Sequence, residues 1–252
     1  MSDAVRHEIY GGFTSLVSES PAWIIGGFPL ADGSFWEFRE PDAVAVVQNG
    51  RLRVAVTRFT RSHPKIQVLD NAKHMFYSAR TFPVPERGGI QFDTEIRAEG
   101  IRTAPGDLYD GFASLNLIEM SQGIALDWFC GHDRIAPVFA RLPFPGATPS
   151  GDGPMRYFAI FDERPRDSAA RHRVGILYDR AAADARWYLD GAEVWRQPVP
   201  APLASFTVAL GIMTEKDIGP AGSVSAHGQG LVAEWSPLEI ATWSEPAARP
   251  AP

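Results

Sequence analysis

ARWYLDGAEVWR (185–196) reads as one hairpin. Two half-strands rich in aromatic and apolar residues flank Asp190-Gly191, and this dipeptide supplies the two positive-φ positions that a two-residue type I′ turn requires. A second pair, VAVVQ and RLRVAV, is joined in the same way by Asn49-Gly50. Outward from these hairpins the same grammar continues: IQFDTEIRA, GFASLNLI, IALDWF, APVFARL, RYFAIF, RVGILYD and FTVALGIM, each bounded by Gly, Pro, Asp or Asn. The single helical candidate, RDSAARHR (166–173), follows Pro165 and predicts one turn at most. Many short strands without helices must bury their faces sheet on sheet. The expectation is an all-β, single antiparallel two-sheet sandwich over 1–252, with a core at about 20–243 and a Pro-rich surface tail at 244–252.

Composition narrows the function classes. The 252 residues are 45% hydrophobic and 21% charged, as in a soluble protein with a large core. Net charge is −6, with acids and bases spread along the chain, which predicts no nucleic-acid and no membrane-surface partner. The start, MSDAVRHEIYGGFTSL, lacks the apolar region of a signal peptide, and no apolar run is long enough to span a bilayer. One cysteine, Cys130, excludes an internal disulfide framework and fits a reducing compartment. Arg strongly outnumbers Lys, as in GC-rich bacterial genomes. These features predict a cytoplasmic bacterial protein, monomer or homodimer.

The order of the pieces resembles the concanavalin A-like lectin/glucanase superfamily. An early strand–NG–strand unit, the strand-then-WYLDG hairpin within 172–199, FTVALGIM, and a closing strand in LVAEWSPLEIATW carry the likeness, over roughly residues 20–243. More narrowly, FPLADGSFWEFREPDA, LDNAKHMFYSARTF, PGDLYDGF and MTEKD…HGQG resemble a bacterial family of unknown function within that superfamily. The resemblance implies a jelly roll with a concave cleft. The superfamily's laminarinase-type glucanases carry Glu-x-Asp-x-(x)-Glu on a central strand. With Asp127 of GIALDWFC (123–130) on the middle Asp, Ala125 falls at the nucleophile and Phe129 or Cys130 at the acid. A retaining mechanism needs two carboxyls about 5 Å apart, so this chemistry is not expected here.

Alternation turns Asp127 away from Leu126, Trp128 and Cys130, an apolar set suited to the inter-sheet core. Asp127 therefore points into the cleft, where burial would raise its pKa. In LDNAKHMFYS, Asp70, Lys73 and His74 are polar interruptions, and Lys73 and His74 point to opposite faces if the segment is a strand. Glu215, Lys216 and His227 sit in a Gly-rich loop after FTVALGIM, where functional groups commonly lie. The candidate catalytic set is thus Asp127, His74, His227, Glu215, Lys216 and Asp70. Candidate ligand contacts are Trp36 as a stacking surface, Lys73, Tyr109, Asn116, Phe129 and Arg141. Asp107 and Asp110 lie in a turn that favours Asp, and their spacing fits no calcium loop. Glu37, Arg39 and Glu40 read as a surface ion pair of little energetic weight.

No G-x-S-x-G elbow, P-loop, dinucleotide fingerprint or H-E-x-x-H is present, and the six His residues show no close pair at metal-ligand spacing. No cofactor and no metal are expected. A mostly apolar cleft with a few orienting groups suits a small-molecule ligand or substrate. Two functions follow. One is an intracellular enzyme (lyase, cyclase, isomerase or unconventional hydrolase) acting on a small molecule such as a biosynthetic intermediate, and the absence of a signal peptide favours it. The alternative is a non-catalytic carbohydrate- or ligand-binding module, favoured by the lack of a recognisable catalytic set.

Overall fold

The computed structural model describes residues 5–13, 21–30, 32–63, 66–143 and 157–245; most of the Pro-rich tail lies outside them. Two antiparallel sheets stack as a jelly-roll sandwich. The first orders its strands Ala192–Pro198, Asp184–Leu189, His172–Asp179, Gly89–Ile101, Gly230–Trp235, Arg51–Val56 and Val44–Gln48. The second runs Tyr157–Ile160, Arg134–Arg141, Ile124–Gly131, Phe112–Glu119, Ser205–Met213, Lys73–Ser78 and Trp23–Ile25. Among the described residues, helix is confined to the single turn Gln67–Asp70 and the 3-10 turn Leu108–Asp110. RDSAARHR forms a turn and the start of a strand, since His172–Asp179 pairs on both sides.

Both predicted hairpins are type I′ in backbone: Asn49 and Gly50 have φ of 53° and 72°, Asp190 and Gly191 of 51° and 85°. Gly89–Ile101 is the longest strand and organises the first sheet. One of its edges pairs with His172–Asp179, while Gly230–Trp235 and Leu238–Trp243 lie end to end along the other. The break between those two is held by Ser236, whose Oγ accepts from Glu95 N at 2.8 Å and whose carbonyl accepts from Thr94 Oγ1 at 2.8 Å. The N-terminal strand Arg6–Tyr10 adds to the edge of Leu238–Trp243.

The core fills the space between the sheets. Leu126, Trp128 and Cys130 face it, as alternation predicts, with Phe92, Ile176, Trp187, Leu210 and Trp235. Burial pushes the Cys130 thiol up to about 11, so it is an inert core group. Three indoles reach across the core to backbone carbonyls of the opposite sheet. Trp128 Nε1 donates to Gly175 O at 2.9 Å, Trp187 Nε1 to Asp127 O at 2.9 Å, and Trp235 Nε1 to Ser114 O at 3.2 Å. Each buries a large apolar surface while satisfying its single donor.

The outer face of the second sheet is also covered. A two-stranded hairpin, Gly27–Pro29 with Phe35–Glu37, leads into Phe38, whose backbone bonds Met75 and Gly26. Phe38 thereby lies over the sheet in a second apolar cluster with Met75, Phe112, Phe129 and Met213.

Candidate functional site

The outer-facing residues of Ile124–Gly131 are Ala125, Asp127 and Phe129, so this strand presents a single carboxylate to that face. Asp127 stands in register with Asn116, Asn116 with Ala209, and Ala209 with Tyr77, making a row across four strands. Asn116 Nδ2 is spent on Ser114 Oγ at 2.8 Å and Ala209 O at 3.1 Å. Asp127 is buried and its Oδ1 has no hydrogen-bond partner. Burial, reinforced by the nearby Glu215 carboxylate, raises its pKa well above the usual carboxylate range and so favours its neutral form. Tyr77 shares the environment: burial and Asp127 raise its phenol too.

A slot of about 60 Å³ remains above this row, walled by Lys73, Met75, Tyr77 and Asn116. Aromatic rings narrow it. Phe129 stacks on Phe112 with centroids 3.8 Å apart and meets Phe158 at 5.5 Å. Lys73 is buried, places its ammonium 5.3 Å from the Phe38 centroid, and donates to Asn71 O at 3.2 Å.

Glu215 and Phe158 also line a second, open cavity of about 570 Å³, with Tyr109, Asp107, Lys216 and Asp217. This vestibule is built by the loop after Ser205–Met213, tied down where Glu215 N donates to Tyr109 O at 3.0 Å and Lys216 N to Asn71 Oδ1 at 3.0 Å. Its base is an ion cluster. Lys216 Nζ lies 2.5 Å from Asp110 Oδ1 and 3.1 Å from Asp107 Oδ2, and His227 Nε2 lies 2.7 Å from Asp110 Oδ1. Burial pushes the Asp110 carboxyl up. The bonds from Lys216, Ala104 N and His227 outweigh that and hold it below its usual value. The Lys216 ammonium thus sits between Asp107 and Asp110. Among the described residues no group of three or more His, Cys, Asp or Glu is arranged to hold a metal.

The predicted residues therefore separate. Asp127, Lys73, Asn116 and Phe129 share the slot, Glu215 joins slot to vestibule, and Tyr109 and Lys216 line the vestibule. His74 does not join them, which corrects its grouping with Asp127. It pairs in register with the core residue Ile212, accepts from Glu40 N at 3.3 Å, and packs edge-on to Phe76. Burial, with Arg39 nearby, lowers its pKa to about 4, so it is a neutral acceptor near pH 7. His227 is engaged with Asp110 rather than Asp127. Asp70 is sealed behind the loop, accepting from Ser225 Oγ at 2.9 Å. Arg141 pairs with the core residue Ile124 and points away from the Asp127 face. Trp36 packs beneath Arg61, whose guanidinium lies 4.4 Å over its ring, and against His63. Glu40 departs from the surface expectation: it is buried, accepting from Thr60 N, Thr60 Oγ1 and Arg61 N.

Sequence reasoning missed Tyr77, Met75, Phe38 and Phe158. Tyr77 and Met75 were recoverable, since strand alternation carries them to the face of Lys73. Phe38 and Phe158 arrive from distant segments.

A family model described as "Family of unknown function (DUF6081)" matches residues 10–244. The chain belongs to this family. No curated protein shows significant similarity to it. Solved structures agree on the fold. A prokaryotic β-1,3-1,4-glucanase (lichenase) from a mouse hindgut metagenome aligns with TM-score 0.53 at 12% identity, over 96% of this chain and 99% of that one. The Bacillus licheniformis β-glucanase aligns with TM-score 0.52 at 9% identity, over 96% and 99%. The Emp47p carbohydrate recognition domain aligns with TM-score 0.50 at 13% identity, over 96% of each chain. At such identities the likeness establishes the concanavalin A-like sandwich and no shared activity. Among the described residues, no helix is long and apolar enough to cross a membrane.

Proposed function

We propose that the chain is a carbohydrate-binding module whose ligand occupies the vestibule beside Tyr109 and Phe158. Cavity size carries the reading. The slot at Asp127, about 60 Å³, has room for about two waters, whereas the vestibule of about 570 Å³ falls in the ligand-site range of roughly 300–1,000 Å³. A sugar needs a flat apolar surface for its C–H face and acceptors for its hydroxyls. The half-exposed Tyr109 ring, 6.3 Å from Phe158, offers the first, and the carboxylates of Asp107, Glu215 and Asp217 offer the second.

The enzyme reading has less support. A general acid must come within hydrogen-bond reach of the atom it protonates. Asp127, the group best tuned as an acid, is buried at the foot of a slot of about 60 Å³ that aromatic rings narrow. The fold's occurrence in both glucanases and a carbohydrate recognition domain is compatible with saccharide binding and does not itself assign it.

Titration calorimetry with β-1,3- and β-1,4-linked gluco-oligosaccharides, extended to manno- and galacto-oligosaccharides, tests the proposal. Binding is expected without release of new reducing ends, and Tyr109→Ala should weaken it about 3- to 10-fold, the worth of one stacking ring. Absence of millimolar or tighter binding across the panel, or full affinity in Tyr109→Ala, overturns it.

A further inference from the structure

The first sheet has an outer face of its own, and a cavity of about 690 Å³ opens on it. Strand register creates this cavity. Ile9, Glu239, Asp93, Gly175 and Tyr188 form one row across five strands. Gly175 interrupts the row with no side chain, and a Cβ there would run into the Asp93 carboxylate.

The donors and acceptors of this cavity are unequal. Arg173 is committed to Glu239 in a two-pronged pair, Nη1 to Oε1 at 3.2 Å and Nη2 to Oε2 at 2.8 Å, and lies 3.9 Å from Asp93 Oδ2. The Tyr188 hydroxyl donates to Glu193 Oε2 at 3.2 Å. Gln91 is more than nine-tenths buried, and its Nε2 donates to Asp93 Oδ2 at 2.9 Å. Its Oε1 has no partner, an unmet acceptor that costs about 1–3 kcal/mol in a buried setting. Asp93 and Glu239 against Arg173 leave one negative charge over, while Glu8 at the rim is paired with Arg80. A site with surplus acceptors and surplus negative charge rejects phosphates and carboxylates and favours a cation with several N–H donors.

We propose that this cavity binds a small molecule carrying a primary ammonium group, an aliphatic diamine or an amino sugar, with the ammonium held between Asp93 and Gln91 Oε1. Ile9 and Tyr188, at the two ends of the row, provide apolar surface for the ligand's stem or ring. Burial pushes the Asp93 carboxyl up to about 6, with Arg173 and Gln91 offsetting part of the effect and Glu239 adding to it. A bound ammonium supplies the charge that burial withholds. The ligand takes the ionised form, so affinity falls as pH drops below about 6. Arg173, Glu239, Tyr188 and, from the edge strand, His7 and Glu8 also face the cavity. A His7→Gln variant separates the contribution of this edge-strand imidazole from the titration of Asp93.

The site lies on the opposite sheet from the vestibule, so it stands or falls independently of saccharide binding there. The full chain is titrated calorimetrically near neutral pH with cadaverine, with glucosamine, and with pentanediol as the uncharged counterpart. Binding of cadaverine, glucosamine or both, without pentanediol, supports the proposal and names the ligand class. Asp93→Asn should weaken binding roughly 10-fold or more, as expected for loss of a charged hydrogen bond. Gln91→Leu, which leaves the carboxylate in place, should weaken it several-fold, and Tyr109→Ala should leave cadaverine binding unchanged. In His7→Gln, cadaverine affinity should still decline below about pH 6. The proposal is overturned if pentanediol binds as tightly as cadaverine, if neither amine binds at about 10 mM, or if both Asp93→Asn and Gln91→Leu retain full affinity.

Discussion

Replacing Asp127 by leucine should stabilise the protein by an amount that grows with pH. In the folded chain the carboxyl is buried and its pKa is raised, by burial first and the Glu215 charge second. Unfolded, it returns to about 3.9. Below that value both states are protonated and Asp127 carries no electrostatic penalty. Above it the unfolded chain releases its proton while the folded chain keeps it. Stability then falls by up to about 1.4 kcal/mol per pH unit until pH reaches the folded pKa. Leucine removes that term. Its extra carbon volume enters the adjoining slot of about 60 Å³, adding about 0.8 kcal/mol per buried methylene. Urea unfolding of both proteins from about pH 4 to 8 measures the effect, because groups common to both cancel in the difference. The stability gap, leucine variant minus wild type, should rise by at least about 1 kcal/mol between pH 4 and pH 6. A gap constant across that range would show that Asp127 is ionised in the folded state and that the slot is wetter than its walls imply.

Two further substitutions probe other parts of the argument. Asp110→Ala removes the buried acceptor of Lys216, Ala104 N and His227 and should cost about 3–5 kcal/mol in urea unfolding, whereas Asp107→Ala, at a half-exposed pair, should cost no more than about 1 kcal/mol. Equal costs would refute the buried-cluster account. Gly191→Ala keeps open space around the new Cβ but forces alanine to φ near 85°, so it should lower the urea midpoint by the equivalent of about 1–2 kcal/mol with an unchanged denaturant slope. A neutral result would mean that the turn relaxes to another type.

The fold was legible because its signals are local. Asp190-Gly191 and Asn49-Gly50 demand particular backbone angles, and alternation along GIALDWFC places Asp127 outward and Trp128 inward from the strand alone. The same alternation separates Lys73 from His74. Side-chain pairings between remote segments were not legible. Nothing local announces that Lys216 will be spent on Asp110, or that Asp110 will also engage His227. The narrowing of the slot was hidden for a related reason: Phe38 and Phe158 come from opposite ends of the second sheet. The Asp93 cavity depends on register among strands carrying residues 93, 175, 188 and 239, which composition and spacing leave open.

The crossed indoles also bear on how the molecule moves. Trp128 grips the carbonyl of Gly175 and Trp187 grips that of Asp127, so the outer face that carries the Asp93 row and the outer face that carries the Asp127 row are riveted to each other through the core. Sheets that rest on aliphatic contacts alone can shear by small repacking steps. Here any sliding must break these two buried indole bonds, which run in opposite directions, together with that from Trp235 to Ser114. The two surfaces therefore behave as faces of one stiff plate about 10 Å thick, the usual spacing of stacked sheets. A plate of this kind can display two different molecules back to back at a constant separation, and a ligand on one face has no sheet motion through which to loosen the other.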